Sequence, residues 1–122
     1  MDVLQKYNSL RRYLAENYSV TTQQCVDKAL LYAAERMNGY MRYNGTPLLD
    51  HDVAVAEIAT REIGLGRNST VAAILHDVLR IASKEHPEQV DALSREIREQ
   101  FGAPVLGIIV GLCKISNIKL KA

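Results

Sequence analysis

Tryptophan is absent from these 122 residues and phenylalanine occurs once, so the interior must be built from leucine, isoleucine, valine, alanine and some of the six tyrosines. Two cysteines, Cys25 and Cys113, are too few and too far apart for a disulfide framework. They read as reduced, buried thiols of a cytosolic protein. Only three prolines interrupt the chain. No apolar run approaches the roughly 20 residues of a membrane-spanning helix. The stretch Met1 to Glu16 has scattered charges and no apolar segment of the signal-peptide kind, so neither a membrane span nor a leader is expected. Charge of one sign is lacking too: 15 basic against 14 acidic side chains leave +1. That balance argues against a nucleic-acid coat or a polybasic membrane binder. With 48% apolar and 24% charged residues the chain reads as one soluble globular domain spanning residues 1–122.

The apolar period is helical nearly throughout, and the expected fold class is all-α, a bundle of about six helices. Val3, Tyr7, Leu10 and Leu14 fall on one stripe of a first helix. Thr21 or Thr22 can cap a second that runs to about Asn38, with Val26, Ala29, Leu30, Ala33 and Met37 inward. Tyr40 to Leu49, holding Gly45 and Pro47, reads as a loop. Asp50 can cap a third helix ending at Ile63 before Gly64 and Gly66. A fourth begins at Asn68 or Ser69, and its Val71, Ile74, Leu75, Val78, Leu79 and Ala82 make a wide apolar face. Pro87 suits the first turn of a fifth, with Val90, Leu93, Ile97 and Phe101 buried and a charged, solvated outer face. Pro104 opens a sixth, apolar on nearly every side and therefore expected at the centre. Ser116 to Ala122 carry no stop signal, so the domain is expected to be incomplete at its carboxyl end.

Three histidines stand out. His86, before Pro87 in a polar turn, fits a surface or capping role. His51 lies at the start of the third helix between Asp50 and Asp52, and His76-Asp77 interrupt the apolar fourth helix. Neutral imidazole and carboxylate are good ligands for a first-row divalent cation, and His51, His76 and Asp77 can converge from two neighbouring helices. A half-buried His-Asp pair is also a common core feature, and spacing alone leaves both readings open.

The residues around them carry a resemblance. Arg42-Tyr43-Asn44-Gly45-Thr46-Pro47-Leu48-Leu49-Asp50-His51 has the form R-x-x-G-x-P-x-x-x-H; it is followed by Ile74-Leu75-His76-Asp77-Val78 and then by the stretch Phe101 to Lys114. Together these blocks, over approximately residues 25 to 115, resemble the N-terminal HD domain of the RelA/SpoT proteins, which make and degrade guanosine tetra- and pentaphosphate. The resemblance implies an HD-domain-like all-α fold, a Mn²⁺ cofactor with His51, His76 and Asp77 among its ligands, and water attack on the 3′-pyrophosphate. It places Arg42 against the guanine base and Tyr43 and Asn44 at further substrate contacts. It also implies a bacterial, cytoplasmic parent whose partners are the guanine nucleotide and a synthetase domain of the same chain.

Two departures bear on activity. Hydrolase-competent members of that family carry a Glu-Asp pair one turn after the His-Asp motif, and here Arg80 and Ile81 stand there. A guanidinium is permanently charged and cannot act as a general base, and isoleucine moves no proton. The family's fourth metal ligand comes from a later helix and has no counterpart before Ala122. Met37, where the family often has histidine, and Asp52, where it often has proline, have no strong bearing on the metal. The expectation is therefore a hydrolase-impaired domain with no catalytic acid pair. Two further readings stand beside it: an active HD-class phosphohydrolase of another nucleotide, and a helical interaction module without chemistry. In the last, Val105 to Leu112 would be a partner surface or a site of self-association.

Overall fold

A computed structural model describes residues 2–121, with side chains described through Lys114. The elements are α1 (Val3–Lys6), α2 (Asn8–Asn17), α3 (Val20–Arg36), α4 (Leu48–Ile63), α5 (Arg67–Glu85), a 3-10 turn (Pro87–Gln89), α6 (Val90–Phe101) and α7 (Ala103–Lys121). There is no strand among the described residues, only an isolated antiparallel bridge between Met41 and Pro47. The architecture is the expected all-α one.

Helix α5 is the centre of the bundle, packed against α3, α4, α6 and α7. Its Val71, Ala72, Ile74 and Leu75 are completely buried, and Val78, Leu79 and Ala82 nearly so. The opposing core comes from Leu10, Leu14, Val26, Ala29, Leu30, Ala33, Ile97, Val105 and Ile109. The lone phenylalanine, Phe101, meets Tyr32 edge-on at 5.7 Å between ring centroids, and Arg36 lies over the Tyr32 ring, 3.6 Å from its centroid, while pairing with Glu96.

Several expected boundaries move, each for a local reason. The first helix is broken at Tyr7, which stays in the core with Leu10 and Leu14 while its hydroxyl donates to Asp50 Oδ1 at 2.8 Å. Ser19, not Thr21 or Thr22, caps α3: its Oγ accepts from the Thr22 backbone N–H. The same helix stops at Arg36, before Asn38. Helix α4 begins three residues earlier than expected, after Pro47, so Asp50 sits inside its first turn and does not cap it. Helix α5 begins at Arg67 with Gly66 ahead of it. The apolar α7 is not the central helix, since Gly107 and Val110 face outward while Val105 and Ile109 are buried. Cys25 and Cys113 are free thiols, half-buried and not fully so. Ser116 to Ala122, read as lacking a stop signal, lie where side chains are not described.

What positions the site is the hairpin of α4 and α5. Gly64 ends α4 in the left-handed region at φ 77°, and the chain reverses over three residues. Thr60 and Thr70, both buried, bring their hydroxyls to 3.4 Å across the turn. Asp52 and Asp77 stand nearly equidistant from that turn along their helices, so folding back brings them face to face.

Candidate functional site

The hairpin opens on a cavity of about 500 Å³ whose wall includes Arg42, His51, Asp52, His76, Asp77 and Arg80. Within it, one donor atom each from Asp52, His76 and Asp77 lie within 4.8 Å of one another. His51 stands in the same wall but outside this group. Consecutive helix positions point about 100° apart, and on α4 the inward position belongs to Asp52. Leu49, Asp52, Val53, Ala56 and Thr60 form the buried stripe of that helix.

Asp52 is therefore the residue that sequence reasoning passed over. The signal was available: an acid at i+3 in a run otherwise apolar or hydroxylic, on the stripe that faces the core. A carboxylate placed there must find a partner, a proton or an ion. In the structure its Oδ2 is buried without a hydrogen-bond partner.

The histidine is set up as a donor. Its Nδ1 lies 2.7 Å from the Ala73 carbonyl oxygen, to which it donates, so Nε2 carries the lone pair. Nε2 is 3.5 Å from Asp77 Oδ1. The same Asp77 oxygen accepts a hydrogen bond from Arg80 Nε, so the arginine is turned into the cavity and ion-paired one helical turn along. Ile81 is turned the other way. It packs against the core and lines a separate cleft with Val78 and Leu93.

The two buried carboxyls are driven apart in proton affinity. Burial, then the hydrogen bond to Asp77 and its negative charge, push Asp52 up to about 9. Burial pushes Asp77 up as well, but hydrogen bonds from Asp52 and Arg80 outweigh it and hold this carboxyl below its ordinary value. The two carboxyls are thus pushed in opposite directions. Cys113, whose Sγ lies 3.8 Å from the His76 carbonyl oxygen, is raised by burial and then by Asp77, so it offers no thiolate to the group.

One imidazole nitrogen and two carboxylates, one of them with an orphaned buried oxygen, fit a first-row divalent cation. Arg80 is the competitor for Asp77.

The other expected contacts lie along the tight turn before α4. Arg42 N–H donates to the Thr46 carbonyl at 2.8 Å, Gly45 takes φ 85°, and the Asn44 side-chain oxygen accepts from both the N–H and the hydroxyl of Thr46. The side-chain oxygen of Asn44 is thus engaged in the turn. Arg42 reaches the cavity wall, whereas Tyr43 is 96% exposed, its ring centroid 5.6 Å from the Arg42 guanidinium. His86 follows α5 on the surface, with Nδ1 3.8 Å from Glu88.

Residues 29–122 match the family model described as HD domain. The chain is 32% identical, over 80% of its length, to a guanosine-3′,5′-bis(diphosphate) 3′-pyrophosphohydrolase of Aquifex aeolicus. It is 39% identical over 79% of its length to a putative chloroplastic GTP diphosphokinase of Arabidopsis thaliana. A GTP pyrophosphokinase of Myxococcus xanthus shares 32% identity over 80% of the chain. The chain spans only 13%, 10% and 12% of those three relatives. No solved structure matches it significantly. The chain belongs to the HD domain family, with its relatives among the RelA/SpoT-type proteins.

Proposed function

We propose that this chain is the HD domain of a RelA/SpoT-type protein and takes a guanosine tetra- or pentaphosphate into the α4–α5 cavity without hydrolysing it efficiently. The observation that carries the reading is Arg80 inside the cavity, ion-paired with Asp77 where a proton-accepting acid would be needed. His76 and Asp77 would hold the cation, with His51 in the adjoining wall; Mn²⁺ suits these donors. Such an ion, when bound, supplies Lewis acidity toward a phosphoryl oxygen and lowers the pKa of a bound water. Arg42 would stack on the guanine base, with Tyr43 free to close over it. Asn44 would act through the shape of its turn. The loss of a general base typically slows such a reaction by about 10²–10⁴-fold.

In this reading the parent protein's remaining activity is synthesis of the alarmone from GTP and ATP by a separate domain, and this domain is its regulatory partner in the cytoplasm. The length and printed names of the relatives support it. The test is hydrolysis of guanosine tetraphosphate with Mn²⁺. The native chain is expected to give turnover at background, with nucleotide binding retained. Arg80→Glu is expected to raise the rate at least about tenfold, by supplying an acid and freeing Asp77. Ile81 should be left in place, because an aspartate there would be driven against the core. Rapid turnover by the native chain would overturn the impaired reading.

A further inference from the structure

We infer that Asp52 is a ligand of the divalent cation and offsets the charge that Arg80 brings into the site; the inference rests on the metal-binding reading above and adds a member to it. Asp52 is 3% exposed and its Oδ2 has no hydrogen-bond partner, yet a donor atom of this side chain lies within 4.8 Å of donors on His76 and Asp77. A buried carboxylate oxygen left open toward two other donors is arranged for a cation.

The charges decide why it matters. Asp77 is already matched by the Arg80 guanidinium, so that pair sums to zero. His76 and Asp77 alone would offer a dication one neutral nitrogen and one carboxylate already engaged. With an ion present, Asp52 supplies the negative charge that the arginine has cancelled. No neighbouring acid on α4 can take its place, because Asp50 is held by the Tyr7 hydroxyl at 2.8 Å and by Lys6 at 2.9 Å.

The experiment is titration of Mn²⁺ alone against the full chain, followed by the electron paramagnetic resonance signal of the free ion. The native chain should take up one Mn²⁺, and Asp52→Asn should bind it about tenfold or more weakly. Arg80→Met should tighten binding. The double variant Asp52→Asn with Arg80→Met should recover toward native affinity, because both charges leave together. A side chain that merely packed would not be rescued in this way. Asn preserves the shape of Asp52 and can donate its amide to Asp77, and Asp52→Ser repeats the comparison with a smaller side chain. Circular dichroism verifies that each variant is folded. Unchanged affinity in Asp52→Asn, a double variant no better than the single one, or no Mn²⁺ uptake by the native chain would each overturn the inference. Because the probe is the metal alone, the outcomes separate. Guanosine tetraphosphate bound by a chain that takes no Mn²⁺ removes the inference and keeps the proposed function; Mn²⁺ held through Asp52 without nucleotide binding does the reverse.

Discussion

A carboxyl buried beside a second carboxyl favours its protonated form, and that preference makes stability depend on pH. Asp52 binds its proton up to about 9 in the folded chain and releases it near the ordinary carboxyl value when unfolded. Between about pH 4 and pH 9 the native state therefore holds more protons than the unfolded one, and the stability contribution of this group falls as pH rises. Asp77, shifted down, is ionised in both states over that window; its contribution is lost only as pH falls through its lowered value. Urea unfolding at pH 5 and pH 8 without metal should show the native chain losing stability toward pH 8, and Asp52→Asn should flatten that slope. An equal slope in both proteins would show that the acid is not the source. At the same scale, Arg80→Glu should convert a resident cation into a proton acceptor, read as nucleotide turnover.

Among the elements, α5 carries the fold and was the most legible. Its inward residues recur with a helical period, and between Thr70 and His76-Asp77 they are all apolar. Leu75→Ala should therefore cost about 2–5 kcal/mol by removing a side chain with no exposed surface, measured by urea unfolding. The turn before it was legible for a different reason, because Gly64 at φ 77° occupies a conformation that side chains with a Cβ avoid. The break at Tyr7 was not legible. An apolar period sees the buried ring, but neither the local backbone at Tyr7 nor its hydroxyl's bond to a residue 43 positions away. The cap of α3 was misplaced by two or three residues because Ser19, Thr21 and Thr22 all offer hydroxyls, and only backbone geometry selects among them. Asp52 was missed because its meaning lies in the facing helix. Its position on the buried stripe could be read, but Asp77 opposite it could not.

For the molecule as a whole, the proposed site couples metal binding to folding. Mn²⁺ at about a hundredfold excess over its Kd should raise the unfolding free energy by about 2.7 kcal/mol. A thermal melt with and without chelator measures this, and Asp52→Asn should lose most of the difference. The matched family region begins at residue 29, yet the chain ahead of it is not an appendage. The α1–α2 segment packs on α3, Ser9 bonds Glu57, and the Tyr18 hydroxyl donates to the Leu65 carbonyl. Tyr7→Phe, which deletes one partly buried hydrogen bond, should lower stability by about 1 kcal/mol in urea unfolding. The clasp of Lys6 and Tyr7 on Asp50 works as a splint on the helical turn that also presents His51 and Asp52. Whatever loosens the helices around Lys6 and Tyr7 therefore also loosens the turn that lends two residues to the cavity wall.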